Sequence, residues 1–136
     1  ELPGWPPEQG QALIFMGDCY KWLGEKEKAI ETYHRAIIKD CTRREAFYAL
    51  GETHAEWGEI RKAVVFLTAA LEIPYNPNYY LNNMNLYTWK IHDTLSILFD
   101  KLGEDEKAKY HWLEAVKAAP NDQRILDNAK WFHRKR

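Results

Sequence analysis

One phrase, written three times, constrains this chain more than anything else in it. Leu23-Gly24-Glu25-Lys26-Glu27-Lys28-Ala29 returns as Trp57-Gly58-Glu59-Ile60-Arg61-Lys62-Ala63 and again as Leu102-Gly103-Glu104-Asp105-Glu106-Lys107-Ala108. Gly24 and Gly58 stand 34 residues apart and Gly58 and Gly103 stand 45 apart, so one period of 34 is kept and is broken once, by an insertion of 11. A glycine behind an apolar or aromatic residue suits the end of a helix, where the chain turns through a left-handed conformation. The glutamate that follows falls in the first turn of the next helix, where the positive end of the macrodipole favours it, and the alanine lets two backbones approach closely. The predicted unit is helix, tight turn, helix. Such units bury their apolar faces on one another.

Taken in order, residues 1–8 hold Pro3, Gly4, Pro6 and Pro7 and read as a linker, until a proline opens a helix at its first turn. From about Gln9 to Leu23 apolar and small residues recur at helical spacing (Leu13, Met16, Gly17, Tyr20), and a second helix to about Lys39 carries Ala29, Ile30, Tyr33, Ala36 and Ile37. The second hairpin repeats the pattern with Phe47, Leu50, Gly51 and His54, then Ala63, Val64, Leu67, Ala70 and Leu71. Gly17 with Gly51, Ala29 with Ala63 and Ala36 with Ala70 are all 34 apart. Small residues at fixed spacing let one helix nest against the next.

This order of residues resembles the tetratricopeptide repeat. Leu13, Met16-Gly17, Tyr20, Gly24, Ala29, Tyr33 and Ala36 fill the first unit; Phe47, Leu50-Gly51, Gly58, Ala63, Leu67 and Ala70 fill the second; His92, Leu95-Ser96, Phe99, Gly103, Ala108, Trp112, Ala115 and Pro120 fill the third. His54 stands where the family has tyrosine and Ser96 where it has glycine. The resemblance implies an all-α fold, a right-handed superhelix of three helix-turn-helix repeats with a C-terminal capping helix and an 11-residue insertion before the third repeat. The expected division is 1–8 linker, 9–42 first repeat, 43–74 second repeat, 75–87 insertion loop, 88–120 third repeat, and 121–136 capping helix with a basic tail. Asn121 or Asp122 can cap that last helix, expected to run to about His133 with Ile125, Leu126, Ala129 and Phe132 on its apolar side.

A net charge of -1 gives no basic footprint for nucleic acid and no electrostatic case for an anionic membrane. No apolar run approaches the length of a membrane span and no charged-then-apolar leader opens the chain, so the expectation is a soluble, cytoplasmic fragment. Cys19 and Cys41 form no CxxC pair and are expected to be buried or half-buried packing residues in a reducing compartment. There is no Gly-rich phosphate loop, GxSxG or HExxH, and the five histidines show no ligand spacing with a carboxylate partner. No catalytic residue, metal site or cofactor is therefore expected.

Binding is better founded, because the first helices of stacked hairpins line the concave face used for partners. Helical register projects Gln11, Ile14, Asp18 and Lys21 there from the first unit, Glu45, Tyr48, Glu52 and Ala55 from the second, and Lys90, Asp93, Ile97 and Asp100 from the third. The partner-binding groove so drawn (Ile14, Asp18, Lys21, Tyr48, Glu52, Lys90, Asp93, Ile97) is acidic with an apolar component and suits a basic or neutral peptide. Repeat domains of this family that hold chaperone C-termini grip a carboxylate with lysine, asparagine and arginine; here the positions read Ile14, Asp18, Tyr48, Glu52, Asp93 and Ile97, which disfavours that mode. The insertion offers a second surface, Tyr75, Tyr79, Tyr80 and Trp89, either facing a partner or packing over the joint between hairpins. Trp22, Trp57 and Trp112 are expected in the core.

A second resemblance covers residues 63–132. The phrases Trp89-Lys-Ile-His92-Asp93-Thr-Leu95-Ser96 and Pro120-Asn-Asp122-Gln-Arg124-Ile125-Leu-Asp-Asn128 look like the repeat arm C-terminal to the catalytic domain of bacterial and phage family 2 glycosyltransferases. It implies a non-catalytic arm whose partner is its own catalytic domain, a second copy in a homodimer, or an acceptor. The alternative is a free-standing adaptor that binds a basic or neutral peptide in the acidic groove.

Overall fold

The computed structural model describes residues 6–77 and 83–129. Those residues form α1 (Pro6–Trp22), α2 (Lys26–Lys39), α3 (Arg44–Glu56), α4 (Ile60–Leu71), a 3-10 turn (Met84–Tyr87), α5 (Lys90–Lys101), α6 (Asp105–Ala118) and α7 (Gln123–Asp127). The fold is all-α and of the tetratricopeptide-repeat type. No helix among the described residues is long and apolar enough to cross a membrane.

The recurring phrase makes the same corner three times. Gly24, Gly58 and Gly103 have φ of 78°, 81° and 76°. The next amide reaches back to close the helix before it: Glu25 N–H donates to Tyr20 O at 2.9 Å, Glu59 to His54 O at 2.8 Å and Glu104 to Phe99 O at 3.0 Å. The carbonyl of each of these glutamates then accepts from Ala29, Ala63 or Ala108 at 3.0 Å, which starts the following helix. Its carboxylate pairs with the lysine three residues on, Lys28 at 3.0 Å, Lys62 at 3.4 Å and Lys107 at 3.2 Å. A Cβ on Gly58 meets nothing within 4 Å, so only the left-handed backbone opposes a side chain. Gly58→Ala is expected to cost about 1 kcal/mol, read as a lowered Tm with no change in helical content.

The chain divides into two compact units, one through Asn83 and one from Met84. In the first, α1 packs on α2, α3 on α4, and α2 on α3. Leu13, Ala29, Tyr33, Leu50, Ala63, Leu67 and Ala70 are fully buried. Two glycines set how closely the paired helices lie: a Cβ on Gly17 falls 2.4 Å from the Tyr33 ring, and one on Gly51 falls 2.7 Å from Leu67 Cγ. Arg44 closes the end of α4 by donating to Ile73 O at 2.7 Å and Leu71 O at 3.2 Å. The Glu45 carboxylate accepts from Asn83 N–H at 2.8 Å, which ties the far end of the insertion back to α3.

In the second unit α5 packs on α6, and α7 packs on α6. Leu86, in the 3-10 turn, is 2% exposed, so part of the expected insertion loop is an anchored turn against α5. Ser96 is buried and its hydroxyl donates to Asp93 O at 2.7 Å, which satisfies the polar atom that replaces the family glycine. The side chain of Asp122 caps α7 by accepting from Arg124 and Ile125 amides, and Trp112 Nε1 donates to Ile125 O at 2.7 Å. His92 and His111 meet Nδ1 to Nδ1 at 3.0 Å, with Phe99 and Tyr110 rings against His111 and Glu114 on the same helix. Burial, and then the charge of His92, push the His111 pKa down to about 4. The unfolded chain therefore takes up a proton near 6.5 that the folded hairpin resists until about 4, so this contribution is complete above 6.5 and is lost as pH falls toward 4. The side chain is partly solvated, and the loss is on the order of 1 kcal/mol. Melting temperature against pH is expected to drop across that window and to flatten in His111→Phe.

Several expectations are corrected. α1 begins at Pro6, because prolines fit the first helical turn, rather than after a linker ending at residue 8. Met16 is 39% exposed, Trp22 89% and Trp57 45%, and both cysteines are exposed. α7 ends at Asp127, and the remainder of the helix expected to reach His133 falls largely outside the described residues.

Candidate partner-binding face

The residues that helical register assigns to a groove do not share one environment. In the first unit α1 and α3 lie side by side and bring Asp18, Lys21, Tyr48, Glu52 and Glu56 together. Lys21 Nζ lies 2.8 Å from Glu52 Oε1 and 3.3 Å from Glu56 Oε1, and the Tyr48 hydroxyl donates to Glu52 Oε2 at 3.2 Å. The Tyr33 hydroxyl, from α2 beneath, donates to Asp18 Oδ1 at 2.5 Å. Burial, then the Asp18 carboxylate, push the Tyr33 phenol far above its usual range, so it stays a donor. Burial pulls the Lys21 ammonium down, but the hydrogen bond and charge of Glu52, with Glu56, outweigh it and raise its pKa. Three carboxylates face one ammonium here, and the surface keeps a negative excess. Glu52 is 40% exposed at its side chain, while Tyr48 is 9% exposed overall.

Ile14 is 9% exposed and belongs to the core cluster with Ala36 and Ala46, so it supports this face from below and does not line it. Gln11 is engaged by Arg43 Nη2 at 3.0 Å. In the second unit Lys90 and Ile97 are half-buried, and Asp93 is only 5% exposed. Asp93 is held from α7: Arg124 Nη2 reaches Oδ2 at 3.0 Å and Asn128 Nδ2 reaches Oδ1 at 3.4 Å. The same guanidinium lies 5.5 Å from the centre of the Trp89 ring. Asp93 and Trp89 thus receive a cation from their own chain. Of the insertion surface, Tyr75 is exposed, and Tyr79 and Tyr80 lie outside the described residues.

The sequence reading missed a staple at the corners. Glu59 accepts from Lys26 at 2.7 Å and meets His54 Nδ1 at 3.1 Å, so the second corner grips the start of α2 and the end of α3. Lys26 first, then His54, hold the Glu59 carboxyl down at about 2. A histidine in the family's tyrosine slot, five residues before a corner glutamate, was the available signal. Among the described residues no group of three or more His, Cys, Asp or Glu is placed to hold a metal ion.

Residues 11–40 and residues 45–77 each match a family model described as tetratricopeptide repeat. The Photosystem I assembly protein Ycf3 of Parasynechococcus marenigrum (strain WH8102) is 34% identical over 55 residues, which is 40% of this chain and 32% of that protein. The chain therefore matches about a third of the length of that relative. Among solved structures, the N-terminal domain of stress-induced protein-1 (STI-1) from C. elegans superposes with a TM-score of 0.81 at 15% identity, covering 96% of this chain and 99% of that one. The first TPR of Spaghetti (RPAP3) bound to HSP90 peptide SRMEEVD gives 0.77 at 15% identity, covering 94% and 95%. Likeness at that level of identity is likeness of fold.

Proposed function

We propose, on the premise that residues 11–40 and 45–77 are tetratricopeptide repeats, that the chain is a non-catalytic interaction scaffold which takes a basic peptide segment on the α1 and α3 face. The observation that carries this is Glu52, whose carboxylate is 40% exposed and is fixed by Lys21 at 2.8 Å and Tyr48 at 3.2 Å. A carboxylate held by two neighbours loses little freedom when a third donor arrives, and the negative excess beside it attracts cations. The RPAP3 structure holds an acidic peptide, SRMEEVD. Asp18 and Glu52 carry the wrong sign for such a ligand, so the fold is shared and the ligand class is reversed.

The glycosyltransferase-arm reading rests on the phrases around Trp89 and Pro120. Those phrases have a structural reason of their own, since Trp89 and Asp93 from one receive Arg124 and Asn128 from the other. The scaffold reading is sufficient without a transferase domain.

The test is a titration with a labelled peptide of alternating lysine and leucine, with SRMEEVD as the acidic comparison. The lysine peptide should bind, more weakly as salt rises, and the acidic one should not compete. Glu52→Lys should weaken binding about tenfold, equivalent to about 1.4 kcal/mol, with the melting temperature little changed. Equal affinity of wild type and Glu52→Lys at low salt would remove the proposal.

A further inference from the structure

The 34-residue period lets the surroundings of equivalent helices be compared position by position. On α3, Ala46 is 3% exposed, Ala49 8%, Leu50 0% and Thr53 0%, because α2 lies against that side and shares its core with Ala46, Ala49 and Leu50. The same positions on α1, 34 residues earlier, are Ala12, Phe15, Met16 and Cys19. There Phe15 is 60% exposed, Met16 39%, and Cys19 is exposed. One turn further along the same side are Trp22 at 89% and Leu23 at 68%, two of the most exposed large apolar residues described. The side that receives a helix on α3 is thus built in larger apolar residues on α1, and no helix among the described residues packs against it. Ala12, Phe15, Cys19 and Trp22 alternate by three and four residues, the spacing of a helix-pairing seam. The seam lies about 100° around α1 from Asp18 and Lys21 and is separate from the partner-binding face.

We infer that this seam pairs with its counterpart on a second copy of the chain, the two α1 helices running antiparallel about a two-fold axis beside Phe15 and Met16. Two observations select this occupant. An antiparallel register centred there sets Ala12 opposite Cys19 of the other copy, small against small, so the backbones come close while the two Phe15 rings pack together. The area also suffices: a phenylalanine or tryptophan offers at most roughly 150–250 Å², and with Phe15 60%, Met16 39%, Trp22 89% and Leu23 68% exposed, covering what these four still show on both copies approaches the roughly 1,000 Å² at which specific interfaces begin. An isologous contact of this kind closes at two chains.

The test is the mass of the native chain by sedimentation equilibrium over a range of concentrations. The expected result is a reversible rise to twice the 16.1 kDa of one chain. Phe15→Glu is expected to give single chains with unchanged helical content and a melting temperature that no longer depends on concentration, and Val65→Glu, at an apolar residue 64% exposed on α4, is expected still to pair. Ala12→Cys in a Cys41→Ser background should form a covalent dimer on mild oxidation, through the introduced thiol and Cys19 of the other copy, and Cys41→Ser alone should not. A mass of one chain at every concentration, a dimer that survives Phe15→Glu, or equal crosslinking without the Ala12 substitution overturns the inference.

Discussion

Leu67→Ala is expected to lower the stability of the first unit by about 2 to 5 kcal/mol, toward the upper part of that range. Leu67 is fully buried on α4, and its Cγ sits where a side chain on Gly51 would have to be. A leucine seated directly on a glycine has no neighbour that can swing in to fill the space it leaves. Ala63 and Ala70, four residues before it and three after it on α4, are also fully buried and too short to fill the space. Urea unfolding monitored by circular dichroism measures the loss. Leu113→Ala on α6, at a residue 43% exposed, is the comparison and should change stability by no more than about 0.5 kcal/mol. Equal effects at the two positions would mean that the close approach of α3 and α4 at Gly51 is not what holds the hairpin together.

Asp93→Lys is expected to cost the second unit about 3 kcal/mol, the lower end of what breaking a buried ion pair costs. The Asp93 side chain is 7% exposed and takes Arg124 at 3.0 Å and Asn128 at 3.4 Å. A lysine there places an ammonium against a guanidinium and leaves the Asn128 amide without its acceptor. Arg124 is itself 55% exposed and keeps its hydration, which is why the cost sits at the lower end. Thermal unfolding should show α7 loosening first, seen as quicker amide exchange at Ile125 and Leu126. If Asp93→Lys left stability unchanged but altered peptide binding, Asp93 would belong to a ligand surface after all. That outcome would restore the environment that helical register alone assigns to it.

These two residues show where the sequence is informative and where it stops. The corners were legible because everything that makes them is local: a glycine at φ near 80°, an amide reaching back five residues, a glutamate paired three residues on. The nesting of hairpins was legible from Gly17, Gly51, Ala29 and Ala63, since close approach demands small residues wherever it occurs. Register also assigned Lys21 and Glu52 to one side of neighbouring helices, and their side chains meet at 2.8 Å between α1 and α3. It could not place Asp93, because its occupant comes from another helix 31 residues on, and helical spacing does not report partners across elements. Nor could it tell Met16 from Leu50. The two hold the same slot in their repeats, and their burial differs only because α2 lies against α3 while nothing described lies against that side of α1. Cys19 and Trp22 were misjudged for the same reason. A pattern of apolar residues says that a side can be covered, and the neighbouring element decides whether it is.

The most direct measurement of the central claim is a map of amide chemical shifts as the 15N-labelled chain is titrated with the lysine-leucine peptide. The account predicts that the largest changes fall on α1 from Gly17 to Trp22 and on α3 from Tyr48 to Glu56, around the carboxylates of Asp18, Glu52 and Glu56, and that they fade as salt is raised. Changes confined to α5 to α7, or absent at low salt, would contradict it, because the proposed site is built on Glu52, whose carboxylate is held by Lys21 and Tyr48 on the α1 and α3 face.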